Sequence, residues 1–131
     1  MMLFEIFCDP KPVVKTKWCK THAYNPGKHY EETLRWQIKP FAPSVPLEGP
    51  LRVDITFYLP IPKGVSARTR TQMLNGVIYH VKRPDRDNLA YPVVNAMNNL
   101  VYLDDSQIVS GDVQKLYGDK PKIVVRITDL T

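Results

Sequence analysis

Residues 51–58 read Leu-Arg-Val-Asp-Ile-Thr-Phe-Tyr, and no other stretch of the chain alternates so cleanly. Leu51, Val53, Ile55 and Phe57 fall on one side, with Arg52, Asp54, Thr56 and Tyr58 on the other. That is the period-two pattern of a strand with one face buried. Such a strand needs partners and a cover. Residues 2–8 offer one partner, with Met2, Phe4, Ile6 and Cys8 opposite Leu3, Glu5 and Phe7. Residues 107–116 and 122–128 offer two more, and Val77 to Val81 is expected to add a brief strand. The cover is expected from a helix over about 29–39, with Leu34 and Ile38 four apart, and a second over 88–100. In the second, Leu89, Val93, Ala96, Met97 and Leu100 share a face. Pro92 is expected to distort its first turn or delay its start. A shorter helix around Ser66–Leu74 should end before Gly76. Prolines and lysines make 9–28 an irregular basic loop, and Pro40, Pro43, Pro46 and Pro50 exclude regular structure before residue 51. The order βαβ(α)βαββ predicts an α/β (α+β) fold: a small mixed sheet of four to five strands with two main helices. One domain over 1–131 suits the length.

Composition narrows the class. Of 131 residues, 44% are hydrophobic, which fits a globular chain and argues against disorder. No run approaches the ~18–20 apolar residues that a membrane span needs. Glu5 and Asp9 sit where a secretory leader would be apolar, so no signal peptide is expected. Cys8 and Cys19 have a spacing that fits neither a disulfide scaffold nor a zinc knuckle, and a reduced, cytoplasmic setting is the expectation.

The net charge of +5 is modest, but its distribution is not. Residues 11–39 carry seven Lys or Arg against Glu31 and Glu32, and residues 63–83 carry Lys63, Arg68, Arg70, Lys82 and Arg83 with no acid. The sign then reverses: Asp85, Asp87, Asp104, Asp105 and Asp112 lie within 84–112, opposed by Arg86 alone. Charge runs of this kind solvate ordinary loops. They equally suit a basic surface for a polyanion around an acidic pocket for a metal ion.

In an extended segment Asp85 and Asp87 would point to one face, and Asp104-Asp105 supplies a second cluster. Three or four carboxylates brought together repel one another unless a cation joins them. Mg²⁺, a hard ion bound by carboxylate oxygens and water, answers that need, although aspartate-rich surface turns show the same spacing. An EF-hand register started at Asp85 fails at Leu89 and Ala90. His22, His29 and His80 make no zinc spacing with the cysteines. Neither a phosphate-binding Gly-x-x-x-x-Gly-Lys loop nor a Gly-x-Ser-x-Gly elbow occurs, so no nucleotide cofactor is expected.

The run Lys82-Arg83-Pro84-Asp85-Arg86-Asp87-Asn88-Leu89, then Asn95-Ala96-Met97-Asn98, then Asp104-Asp105-Ser106-Gln107-Ile108, resembles the RusA-type Holliday-junction resolvases. Lys115-Leu116-Tyr117-Gly118 and the region of Tyr24, Asn25, Pro26, Tyr30 and Glu31 extend the likeness over most of the chain. The resemblance implies a small homodimer, often encoded by a phage or prophage. It implies symmetric nicking of four-way DNA junctions with Mg²⁺, for which Mn²⁺ can substitute. Asp85, Asp87 and Asp105 would be the catalytic, metal-binding carboxylates, with Asp104 a neighbour or fourth ligand. Asn88 would cap the helix or steady the turn, Gln107 and Ile108 would set the strand register, and His80 would pack at the surface. Four-way junctions, as polyanions, call for basic side chains: Lys15, Lys17, Lys20, Lys28, Arg68, Arg70, Lys82, Arg83 and Lys115 are the candidates. Trp18 and Tyr24 are candidates to stack on bases, whereas Trp36 is expected in the core.

The family pattern has lysine where this chain has Tyr91, and Asp-Ala-Leu where it has Asn95-Ala96-Met97. A neutral phenol cannot replace an ammonium beside a scissile phosphate. Lys82, Arg83 or Lys115 supplies that charge instead, the metal works alone and slowly, or the protein binds junctions without cutting them.

Overall fold

The computed structural model describes residues 1–14 and 26–131, with the backbone of 17–18 and 23–24. At its centre lies β4 (Leu51–Pro60), whose Leu51, Val53, Ile55, Phe57 and Leu59 are buried while the residues between them are partly exposed. On one side β7 (Lys122–Asp129) pairs antiparallel, setting Leu51 opposite Asp129 and Tyr58 opposite Lys122. β1 (Met2–Ile6) then pairs antiparallel with β7 to form an outer edge. On the other side β5 (Ile108–Ser110) and β6 (Val113–Gly118) run parallel to successive stretches of β4. The result is a mixed five-stranded sheet of an α+β fold.

Parallel neighbours need a long crossover, and the chain between β4 and β6 supplies one. It contains α2 (Ala67–Leu74), capped by the Ser66 hydroxyl accepting from Thr69 N–H, and α3 (Arg86–Ala96). With α1 (Lys28–Ile38), α3 covers the buried face of the sheet. Leu34 and Ile38 of α1 and Leu89, Val93, Ala96 and Met97 meet the strand residues in one apolar cluster. Arg35 ties the two helices by donating to the carbonyls of Ala96, at 2.9 Å, and Asn98, at 2.7 Å. Those acceptors belong to the end of α3, where carbonyls lack helical donors and a cation is favoured.

Several expectations change. The strand expected over 107–116 is broken between β5 and β6. Gly111, at φ 143°, crosses β4 so closely that an added Cβ would lie 1.7 Å from the Val53 carbonyl oxygen. Residues 77–81 form no strand, because Val77 and Ile78 N–H both turn back to the Gln72 carbonyl at the end of α2. The helix expected over 88–100 starts at Arg86 and ends at Ala96: Asn98 N–H closes a tighter turn on the Asn95 carbonyl, and Asn99, at a left-handed φ of 60°, donates to the Tyr102 carbonyl. Trp36 is 73% exposed, not in the core: Leu34 and Ile38 occupy the inward stripe, and Trp36 falls between them on the outer side. Lys39 Nζ lies 5.5 Å above its ring. Within the expected loop 9–28, β2 (Lys17–Trp18) and β3 (Ala23–Tyr24) pair antiparallel.

Gly111→Ala should lower folding stability by about 2 kcal/mol or more, because backbone, not a movable side chain, blocks the new methyl group. A shifted denaturant midpoint at unchanged slope is the readout.

Candidate active site

The first acidic pair sits at the start of α3. Asp85 is the N-cap, with extended backbone, and its carboxylate makes no capping hydrogen bond. Asp87 lies in the first turn with its side chain 85% exposed. The expected extended Asp85–Asp87 segment is therefore corrected: only Asp85 is extended, and the helix begins with Arg86. Asn88 is within the helix and is not its cap. Two cations sew this segment to β6. Lys115 Nζ donates to the carbonyls of Lys82, at 2.7 Å, and Pro84, at 3.0 Å. Arg86 donates to the Val113 carbonyl at 3.2 Å, with its Nε 3.5 Å from Asp87.

The second pair belongs to the short 3-10 turn that leads into β5. Asp104 accepts from Ser106 N–H at 3.2 Å, while the Gln107 side chain accepts from Asp104 N–H at 2.9 Å. The hydrogen bonds of Ser106 to its carboxylate hold Asp104 below the usual carboxylate range. Gln107 also donates to the carbonyls of Leu47 and Gly49, each at 3.0 Å, and Ile108 pairs with Leu51. Both residues thus register β5 against β4, as read from the sequence. Asp105 is half-buried. Burial first, then Asp105 and Asp104, pushes the Tyr102 phenol up, so it stays protonated and donates to the Val94 carbonyl of α3 at 2.6 Å. Among the described residues no three carboxylates, imidazoles or thiols stand close enough to hold a metal ion. The donor type suits a hard cation, but the four aspartates are not gathered into one cage.

Beside Asp87 opens the most spacious cleft among those described, about 730 Å³. Asp87, Asn88, Tyr91 and Asn95 line it from α3, with Glu31 of α1 and Lys11 across from them. Pro92, a proline inside the helix, also lines it and accounts for one of its walls. Proline has no N–H for the carbonyl four residues back, and that carbonyl, of Asn88, accepts from Val13 N–H at 2.7 Å instead. Residues 11–14 are so drawn against α3. Lys11 is held again through its N–H to the Tyr30 hydroxyl, at 3.1 Å. Lys11 was not singled out from the sequence as a site residue; the signal available was Pro92, which obliges Asn88 to find an outside donor.

Among the basic candidates, Lys82, Arg83 and Arg68 are exposed. Arg70 pairs with Asp119 at 2.7 Å and Lys28 with Glu32 at 3.9 Å, both at the surface. Lys115 is committed to carbonyls. Lys15 and Lys20, and the side chains of Lys17, Trp18 and Tyr24, lie outside the described residues. His80 packs on Tyr117, ring centroids 4.8 Å apart. No helix among the described residues is long and apolar enough to cross a membrane.

Exposed aspartates at a helix start, a second acidic turn leading into β5, and solvent-facing cations beside the first pair occur together in this small α+β fold. Residues 7–128 match the family model Endodeoxyribonuclease RusA, and the chain belongs to that family of DNA-junction endonucleases. It is also 30% identical, over 116 residues, to a protein of Bacillus subtilis (strain 168) described as "Uncharacterized protein YqaN". That match covers 86% of this chain and 82% of the other.

Pro92→Ala would give Asn88 a donor inside the helix. Amide exchange at Val13 should then accelerate by about tenfold or more, while the unfolding midpoint does not fall, because alanine favours the helix.

Proposed function

We propose that this protein resolves four-way DNA junctions by symmetric, Mg²⁺-dependent hydrolysis of phosphodiester bonds, with Mn²⁺ an alternative ion. The observation that carries the reading is the exposed Asp85–Asp87 pair at the start of α3, in a chain of the RusA family, directly after the free cations Lys82 and Arg83. Asp85, Asp87 and Asp105 would hold the ion. Asp104 is the weaker candidate because its carboxylate already caps the turn. Mg²⁺ is commonly held by one or two carboxylates together with substrate phosphates, so a closed protein cage is not required. When bound, the ion would supply an activated water and stabilise the leaving oxygen. The chain's own part is to hold Asp85 in place through Lys115 and to bind phosphates through Lys82, Arg83 and Arg68. A four-way junction has near-two-fold symmetry, and a C₂ homodimer would present two equivalent sites to it.

Tyr91 supports a second reading. It is 54% exposed and lines the cleft beside Asp87, where the family pattern has a cation. With Lys115 engaged, the charge must come from Lys82, Arg83 or the cleft residue Lys11; failing that, the protein binds junctions and cuts them poorly or not at all.

A cleavage assay on synthetic four-way junctions with Mg²⁺ or Mn²⁺ separates the two. Nicking of junctions but not duplexes supports the resolvase; binding without nicking supports the second reading. Asp87→Asn should reduce cutting by at least ~100-fold, beyond the 10–100-fold that an outer-shell partner of a metal costs, and leave junction affinity unchanged. Tyr91→Lys should raise the rate. Junction affinity should also fall linearly on a log–log plot against salt, as phosphate contacts require.

A further inference from the structure

Lys115 joins the acidic segment to β6, and two residues further along that strand Tyr117 forms the wall of a pocket. Tyr58, Asn75, Tyr79, His80 and Tyr117, with apolar neighbours, line an open pocket of about 260 Å³. That is below the ~300–1,000 Å³ of sites for drug-sized ligands and suits one flat ring. Gly118 permits the close wall: an added Cβ there would meet Tyr58 Cβ at 2.8 Å. The His80 ring is tilted 51° to Tyr117, and its Nδ1 is buried without a hydrogen-bond partner. That nitrogen is closed off from solvent, so Nε2 is the ring atom open to an occupant. Burial, then the charges of Lys115 and Lys82, holds His80 below the ordinary imidazole range. The ring is therefore neutral near pH 7, and its open nitrogen donates or accepts according to tautomer.

The surroundings select the occupant. Tyr79 stands at the rim, 71% exposed, between Val77 and Val81, which are 66% and 87% exposed. Lys82 and Arg83 follow directly and are exposed, and residues 63–83 contain no acid; Lys122 Nζ, 5.1 Å above the Tyr58 ring, is paired with Glu5 at 3.3 Å, and Arg70 with Asp119 at 2.7 Å. An aromatic pocket with two free cations on the adjoining segment fits a ring carried on a phosphate backbone. A base is free to leave its stack at a branch point far more readily than inside a duplex.

We propose that this pocket receives one nucleobase unstacked at the junction's branch point. Tyr79 stacks on its face, His80 Nε2 and Asn75 match its edge, and Lys82 and Arg83 take the neighbouring phosphates. The inference rests on the nuclease reading above and assigns to it a determinant of junction over duplex selectivity. Stacking of one base on an aromatic side chain is sequence-tolerant and strong enough to shift affinity by about tenfold.

The test is a binding titration in Ca²⁺ of a duplex and of four-way junctions that carry a single abasic site at each nucleotide flanking the branch point. For the unmodified protein, one abasic position should weaken junction binding about tenfold. For Tyr79→Ala, an exposed change that leaves the core intact, the intact junction should bind about tenfold more weakly and that abasic site should cost nothing further. His80→Phe, which keeps the packing and removes the ring nitrogens, should flatten any preference among the four bases there. Duplex affinity should be the same for all three proteins. If every abasic junction binds the unmodified protein as tightly as the intact one, the pocket is refuted while the nuclease reading stands. If the protein binds neither junction nor duplex, the nuclease reading falls and takes the pocket with it.

Discussion

Pro92 cannot give the Asn88 carbonyl the hydrogen bond that a helix would normally provide, and Val13 provides it from outside. A helix-interior proline costs about 3 kcal/mol relative to alanine, so its presence calls for a structural return. That return is position. The acceptor that Pro92 leaves open lies a single residue past Asp87, and the segment it captures becomes a wall of the cleft that Asp87 lines. An ordinary residue at 92 would close the helix on itself and leave residues 11–14 without this anchor. The apolar core fixes where α3 lies, and the missing N–H fixes what lies beside its acidic end.

Cations that read from sequence as a uniform DNA-binding surface divide by what their donors find. Arg35 closes the carbonyl end of α3, Lys115 and Arg86 hold the acidic segment to β6, and Arg70 meets Asp119. Lys82, Arg83 and Arg68 project to solvent. A guanidinium or ammonium bonded to two carbonyls at part-buried positions has less to offer a phosphate than one held only by water. Basic charge in this fold does two kinds of work, and the cations near the acidic pair include both.

The strand over 51–60 and the two long helices were legible because burial imposes a period, and a period survives in the sequence. The acidic residues were legible as a spaced set. What the sequence hid was conformation: an aspartate before a helix and an aspartate within a strand look alike until the N-cap is assigned, and Asp85 proved to be the N-cap. Trp36 misled because residue type favoured the core while its phase on α1, between Leu34 and Ile38, did not. Residues 77–81 are apolar enough for a strand, but the N–H groups of Val77 and Ile78 had a nearer acceptor at Gln72. In each case the outcome was decided by a particular donor or by helical phase, which composition does not encode.

The pairing of β4 with β5 shifts by one residue between Leu51 and Arg52, where Val109 stands as the extra residue of a bulge. Everything downstream inherits that phase, including the pairing of Phe57 with Lys115. Residues paired across a sheet share a face, so Lys115 lies on the helix-covered side, within reach of the carbonyls of Lys82 and Pro84. A slip of one residue would turn Lys115 to the open face. Both acidic segments are therefore referenced to one ruler: the turn of Asp104 and Asp105 is read off the start of β4, the segment of Asp85 and Asp87 off its end. The distance between them is counted in strand residues, and Val109 sets whether that count is odd or even.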